Sequence, residues 1–336
     1  MRRWKSDSME LYETSGNPVP AGAEVTGIAS LAGGTRLRAA LWQPAARQAR
    51  GTICLMQGRS EFIEKYFEVI SELRQRGFAV CAFDWRGQGG SERLTADPRK
   101  GHAGRFDDYA GDLSGVLEHM IAKRCPQPYF GLAHSMGGAA LLIALRRGEK
   151  RIARAVLTSP MARLHESQSP PYARFAAELL SLAGLRYSYI PGGGGTAPMT
   201  KPFEGNILTS DPERYARAAA IIGRAPRIAL GDPTIGWIRA AYRAMAELRH
   251  LEFGFEFVTP LLFVNAGADT LVSAPAAAAL ADRVKGASSV TIAHSRHEIL
   301  MERDSIRREF WAAFDAFLPG ERAMPRPRGM HPSEQF

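Results

Sequence analysis

The chain has 336 residues, 45% hydrophobic and 23% charged, and carries a net charge of +9 from 43 Lys and Arg against 34 Asp and Glu. That is enough chain for one large domain or two moderate ones with a substantial core, and no apolar run reaches the ~18 residues of a membrane span. The basic excess lies at the ends and in scattered arginines such as Arg2, Arg3, Arg322, Arg326 and Arg328. No basic stripe carries interleaved aromatics, so a nucleic-acid partner is not expected, and transient contact with an anionic lipid surface is the compatible weaker reading.

The opening MRRWKSDSMELYE has basic residues but no apolar segment after them, so no signal peptide is expected. Cys54, Cys81 and Cys125 are too few for a disulfide framework and lack metal-ligand spacing. A reduced, cytoplasmic protein is the simplest expectation, and nothing in the sequence asks for a metal or an organic cofactor.

Residues 1–20, ending in Asn17-Pro18-Val19-Pro20, read as an extended leader. Residues 25–31 and 36–42 alternate in strand fashion around Gly33-Gly34, a hairpin signal. Residues 51–56 are apolar without alternation, as suits a strand buried on both faces of a parallel sheet. Residues 62–76 have helical periodicity closed by Gly77. A second buried strand, 78–83, runs into the glycine-rich loop DWRGQGGS at 84–91, and 106–123 is helical again.

The stretch YFGLAHSMGGA, 129–139, is a buried strand that turns into an apolar helix at a single serine, Ser135. Small residues two before and two after such a serine let strand and helix approach, which is the mechanics of a nucleophile elbow; here Ala133 stands at the first of the two small positions and Gly137 at the second. A strand at 153–158 follows. Residues 160–257 then lose the alternation: helices are expected at 172–183, 212–222 and near 237–251, with a flexible Pro191-Gly192-Gly193-Gly194-Gly195 segment between the first two. Alternation resumes with a strand at 260–264, a helix at 274–284, a strand at 289–293 and a helix at 305–317. The Pro- and Arg-rich tail at 319–336 is expected to be disordered.

This alternation predicts an α/β fold with a mostly parallel sheet, with a core at 21–159 and 258–318 and a helical insertion at 160–257 that caps the carboxyl edge where such sheets bind ligands. A serine needs a base to take its proton and an acid to hold that base in the right tautomer. In an elbow-bearing fold they follow in the order serine, acid, histidine. Asp269 lies just beyond the strand at 260–264, and His297 just beyond the last strand, whereas Asp211, Asp232 and Asp282 fall in the insertion or in helices. Among rival histidines, His134 adjoins the serine and is expected to point away beneath it; His294 is still at the strand end. His102 reads as a structural or loop residue, and His119 and His165 read as surface positions. The oxyanion hole needs two backbone N–H donors. Met136, directly after the serine, and Arg59, after Gly58 in the loop behind the first core strand, are the expected pair.

LAHSMGG, GRSEFIEKY, FDWRGQGGS and RHEILME together resemble the lysophospholipase L2 and monoacylglycerol lipase branch of the α/β-hydrolases, over roughly residues 17–318. Family members often carry His-Gly where this chain has Gln57-Gly58, and glycine where it has Ala133; neither change removes a catalytic atom. The resemblance implies the α/β-hydrolase fold and a carboxylic-ester hydrolase acting on a lipid with one acyl chain, with Ser135, Asp269 and His297 as triad. It also implies an acyl channel built by the cap, to which Trp237 and Tyr242 are expected either to contribute or to be lost in cap packing, and the glycine run at 192–195 is either a lid hinge or a plain loop. Amide or peptide cleavage on the same triad, and a non-catalytic ligand-binding role, are the competing readings.

Overall fold

The structure, a computed structural model, describes residues 9–46, 48–250, 252–254 and 258–318. The first eight residues of the expected leader and the expected tail at 319–336 lie outside the described residues. The strands are β1 (Glu24–Ala29), β2 (Arg36–Trp42), β3 (Thr52–Met56), β4 (Ala79–Phe83), β5 (Tyr129–His134), β6 (Ile152–Thr158), β7 (Leu261–Ala266) and β8 (Ala287–Ile292). They form one sheet in the order β1-β2-β4-β3-β5-β6-β7-β8, in which β2 pairs antiparallel with both β1 and β4 and all later pairs, from β4·β3 to β7·β8, are parallel.

The helices are α1 (Phe67–Gln75), α2 (Phe106–Val116), which runs through a π-turn at Leu117–Ile121 into the short α3 (Ala122–Arg124), α4 (Met136–Arg146), α5 (Ala173–Leu180), α6 (Pro212–Arg224), α7 (Ile235–Leu248), α8 (Ala274–Ala281) and α9 (Asp304–Phe317). Because successive strand side chains point to opposite faces, the apolar run of β3 serves two cores at once. Cys54 and Met56 enter the core packed by α2, α4 and α8, while Ile53 and Leu55 enter the core packed by α1 and α9. β4 divides in the same way, with Cys81 and Phe83 on one side and Val80 and Ala82 on the other. That two-sided burial is why these strands read as continuous apolar segments.

Between β6 and β7 the described residues add α5, α6 and α7 and no strand of the sheet. A third apolar cluster joins Ala218, Ile221 and Ile222 of α6 and Met199 to Phe62, in the loop after β3. The described part of the leader, residues 9–20, is docked on the core: Arg38 donates to the Glu10 carbonyl at 2.7 Å, Asn17 to the Glu64 carbonyl at 2.9 Å and Trp42 to the Pro20 carbonyl at 2.9 Å. Arg38 is itself buried between Glu64 and Asp84, at 2.7 and 2.6 Å.

The glycine run expected to be flexible is tied down. Asp232 accepts from the Gly194 N–H at 2.9 Å and returns its own N–H to the Gly194 carbonyl at 2.9 Å. A methyl group at Gly231 would sit 2.2 Å from the Gly194 oxygen, so the two glycine segments pack backbone to backbone.

Candidate active site

The parallel strands deliver their carboxyl ends, and the loops that follow, to one edge of the sheet. Arg59 follows β3, Ser135 follows β5, Asp269 follows β7 and His297 follows β8. β5 ends at His134 and α4 begins at Met136, so the turn between them is Ser135 alone. Its backbone sits at φ 50°, ψ −113°, a conformation that costs a non-glycine residue on the order of 1–3 kcal/mol and persists only where its surroundings impose it. They do so through three hydrogen bonds: Ser135 N–H donates to the Thr158 carbonyl at 3.0 Å, and its carbonyl accepts from Ala139 and Met161 at 3.2 and 3.1 Å.

Gly137 explains how α4 comes so close. A methyl there would lie 2.5 Å from the Gln57 carbonyl oxygen and 2.6 Å from that of Met56, so the helix rests directly on the end of β3. Ala133 sits one residue inside β5, paired with Met56 on one side and Leu157 on the other, and its methyl is fully buried in the core. The glycine that must be glycine is therefore the one after the serine.

The structure brings the three distant side chains together. His297 Nε2 lies 3.0 Å from Ser135 Oγ, and its Nδ1 lies 2.7 Å from Asp269 Oδ2. The other Asp269 oxygen, Oδ1, accepts from the Leu271 and Val272 N–H groups at 2.8 and 3.0 Å, which fixes the carboxylate plane. Burial alone would raise the Asp269 pKa, but the His297 charge, its hydrogen bond and those two N–H groups bring it below the ordinary carboxylate value. Burial alone would lower His297; the charge and hydrogen bond of Asp269, with the charges of Glu298 and Glu61, hold it above the ordinary imidazole value.

Met136 opens α4, where backbone N–H groups have no intrahelical acceptor. In the loop after β3, the Gly58 N–H is taken by Glu61 Oε2 and the Ser60 N–H by Gln88 Oε1 at 3.3 Å, which leaves the Arg59 N–H between them without a protein acceptor among the described residues.

His134 does not point away from the site. Its ring centroid lies 4.8 Å from that of His297, it is buried beside the cavity, and its Nδ1 lies 3.1 Å from Thr158 Oγ1. Burial pushes its pKa down to about 4, so it is neutral at neutral pH. His102 bonds Thr234 Oγ1 at 2.9 Å and stacks on Tyr187, a structural position between loop and α7. His165 bonds its neighbour Ser167 at the surface.

A cavity of about 660 Å³ opens above Ser135, within the range of small-molecule sites. Its wall includes Met161, Leu164, Met199, Ile238, Leu271 and Val272. Trp237 does both things expected of it: it lines the cavity, and it is buried in the core with its indole N–H on the Tyr109 hydroxyl at 3.1 Å. Tyr242 is a correction. It is not on the cavity wall; it packs half-buried against the core and its hydroxyl bonds Ser169 at 2.7 Å.

Sequence reading missed a buried charge network beside Ser135, Asp269 and His297. Lys65 bridges Glu61 and Glu298 at 2.6 and 2.5 Å, and Glu61 also accepts from the Tyr66 hydroxyl at 2.7 Å and from the Gly58 N–H. The available signals were an i,i+4 Glu–Lys pair immediately after the Gly58 loop and a carboxylate directly following His297. No cluster of three or more His, Cys, Asp or Glu able to hold a metal ion occurs among the described residues.

A mostly parallel eight-stranded sheet in this order, with a one-residue serine elbow after its fifth strand, defines the α/β-hydrolase class. The chain belongs to the family described as Serine aminopeptidase, S33, whose model matches residues 47–304. It is 32% identical to lysophospholipase L2 of Escherichia coli strain K12 over 266 residues, 76% of each chain. It is 29% identical to the probable lysophospholipase L2 of Haemophilus influenzae, over 80% of this chain and 84% of that one. Among solved structures, a soluble variant of the monoglyceride lipase of Saccharomyces cerevisiae, in complex with a substrate analog, superposes with a TM-score of 0.67 at 20% identity, covering 90% of this chain and 98% of that one. At that identity the likeness speaks for the fold.

Proposed function

We propose that the protein is a serine hydrolase that cleaves the ester of a lipid bearing one acyl chain, through an acyl-serine intermediate. The observation that carries this is the hydrogen-bonded run Asp269–His297–Ser135, ending at a strained serine beneath an apolar cavity. The names of the lysophospholipase relatives support the substrate class.

In this reading His297 Nε2 takes the Ser135 proton as Oγ attacks the ester carbonyl. The Met136 and Arg59 N–H groups receive the developing oxyanion. His297, now an imidazolium beside Asp269, gives its proton to the leaving alcohol as the carbonyl–oxygen bond breaks. Water then enters by the same route and releases the fatty acid. Residues 160–257 act as a cap whose Met199, Trp237 and Ile238 help to wall the acyl site.

We also propose that the enzyme works at the membrane surface from the cytoplasmic side. Tyr172, Phe175, Leu179 and Leu182 recur at three- and four-residue steps along α5 and its continuation, and are 69%, 72%, 55% and 78% exposed. An apolar helical stripe of that kind, on a chain of net charge +9, suits shallow insertion into anionic lipid. Among the described residues no helix is long and apolar enough to cross a membrane.

A fluorophosphonate probe with a p-nitrophenyl ester series tests the chemistry: wild type should be labelled and Ser135→Ala should not. Equal labelling of the two, or an optimum at acetyl chains, would sink the reading. Cosedimentation with vesicles containing phosphatidylglycerol tests the surface. Phe175→Ser/Leu182→Ser should lower vesicle binding without lowering hydrolysis of a soluble ester; unchanged binding would remove α5 from the role.

A further inference from the structure

The cavity wall holds a cation that forms no ion pair among the described residues. Arg59 lines it, and its guanidinium is enclosed by neutral partners: Nη1 donates to Ser60 Oγ at 2.8 Å, Nη2 to the Gly231 carbonyl at 2.9 Å, and the group lies 5.1 Å over the Trp237 ring. Its Nε is buried with no hydrogen-bond partner. Half-buried Arg50 has the same kind of surroundings, two backbone carbonyls and an aromatic ring, but lies outside the cavity, whereas the fully buried arginines meet carboxylates. Arg38 sits between Glu64 and Asp84, and Arg86 is doubly bonded to Asp112. A buried charge is ordinarily paired, because leaving it unpaired is expensive. Among the described residues, the one carboxylate close enough to act on Arg59 electrostatically, Asp232, is engaged with the Gly194 N–H instead. Burial accordingly pushes the Arg59 pKa down to about 10, which still leaves it charged at neutral pH.

Position adds a second observation. The Arg59 N–H is the unoccupied donor of the loop beside Ser135, so one residue presents a backbone donor at the reacting carbonyl and a cation a side chain's length away, under Gly231 and Trp237 of the insertion. In a 1-acyl glycerophospholipid the phosphate stands a glycerol's length from the ester carbonyl, about the reach of an arginine side chain. The planar guanidinium is the group best suited to phosphate oxygens.

We propose that the Arg59 side chain binds the phosphate of the substrate's headgroup, making the preferred substrate a lysophospholipid rather than a neutral monoacylglycerol. This rests on the single-acyl esterase reading above and goes beyond it by assigning the headgroup chemistry to one side chain. Arg59 acts here as a specificity residue, through its guanidinium, separately from its backbone N–H.

The test reads a ratio, so that any loss common to both substrates cancels. The kcat/KM for 1-acyl lysophosphatidylglycerol is divided by that for 1-monoacylglycerol of the same chain, both in neutral mixed micelles. Arg59→Met should lower the ratio about tenfold or more, as befits loss of a charged hydrogen bond, and Arg59→Lys should keep most of it. If both substrates fall by one common factor in Arg59→Met, Arg59 is a structural tie between core and insertion and the proposal fails. A binding arm does not depend on turnover: calorimetric titration of Ser135→Ala with sn-glycerol 3-phosphate, glycerol and inorganic phosphate, with and without Arg59→Met. Binding of glycerol 3-phosphate that requires Arg59 supports the headgroup site even if every ester proves inert, which would overturn the esterase reading alone. No binding overturns the headgroup site, and inorganic phosphate binding as tightly as glycerol 3-phosphate makes it a free-phosphate site instead.

Discussion

Asp269→Asn should cost turnover far more than its size suggests, and the hydrogen bonds say why. Oδ1 of Asp269 is held by two backbone donors, Leu271 and Val272 N–H, at 2.8 and 3.0 Å. An asparagine there keeps its carbonyl oxygen on those donors, because its NH₂ cannot accept from them. The NH₂ then faces His297 Nδ1, where Asp269 Oδ2 now stands at 2.7 Å. A donor at that place makes Nδ1 the acceptor and puts the imidazole proton on Nε2, the atom proposed to take the Ser135 proton from 3.0 Å away. The wrong tautomer is worth ~10⁴ in kcat in a serine–histidine–aspartate site, about 5 kcal/mol of barrier. A pH profile adds an independent sign. In the proposed mechanism neutral His297 is the base, and Asp269 helps to hold its pKa above the ordinary 6.5, so the acid limb of kcat/KM should lie above 6.5 in wild type and move down in Asp269→Asn. The assay is p-nitrophenyl ester hydrolysis across about pH 5 to 9, with thermal melts to show that the variant is folded. A fall of less than about tenfold, or an acid limb that stays where it was, would refute the tautomer argument.

Gly137→Ala should place a methyl against two backbone carbonyls at 2.5 and 2.6 Å, costing ~1–3 kcal/mol in urea unfolding as overpacking and lowering kcat by up to ~10² through a displaced elbow. Gly223→Ala, in α6 with nothing within 4 Å of its new methyl, is the control and should be neutral or slightly stabilising. His134 is buried with a pKa near 4 against an ordinary 6.5. The unfolded chain therefore binds the extra proton first, and stability should fall as pH drops from 6.5 toward 4, by about 3 kcal/mol at the end of that window. Urea midpoints taken through the window should show that slope in wild type and a flatter one in His134→Asn; parallel slopes would mean that another group titrates there.

The parts of this molecule legible in its sequence share a physical cause. Strands buried on both faces leave apolar runs with no alternation, so β3, β4, β5 and β7 stand out from their surroundings, and the loops at their carboxyl ends can be searched for chemistry. Ser135 and Asp269 fall just past β5 and β7, whereas His297 follows β8, whose residues are mostly exposed, and is reached through the serine–acid–histidine order and not through burial. What stayed illegible depends on side chains meeting across long separations. Lys65 and Glu298 lie 233 residues apart, and nothing in the pattern of residues 62–76 distinguishes a lysine that is buried between two carboxylates from one on a solvated helix face. Tyr242 failed for the complementary reason: an aromatic at helical spacing in the insertion looks the same whether it faces the cavity or Ser169. The hydrogen bonds and close backbone packing of the glycine run at 192–195 come from Gly231 and Asp232, a contact that composition cannot announce.

The network that escaped sequence reading bears on how the site works. Three carboxylates, Asp269, Glu298 and Glu61, all raise the His297 pKa, whereas His134, against the same ring, stays neutral and adds no opposing charge near pH 7. Lys65 between Glu61 and Glu298 makes the pair of carboxylates tolerable in a buried place, since two unpaired negative charges there would take up protons instead. In the proposed mechanism the imidazolium that forms as Ser135 attacks is thus met by charge already in position, with no reorganisation at the moment of reaction. Glu61 also grips the Gly58 N–H in the loop that offers the Arg59 donor, and Glu298 adjoins His297 in sequence. One lysine therefore couples the place of the proposed oxyanion donor to the place of the proposed base. Removing it should loosen both together, which predicts that Lys65→Met lowers kcat with little change in KM, the mark of lost transition-state alignment and not of lost substrate contact.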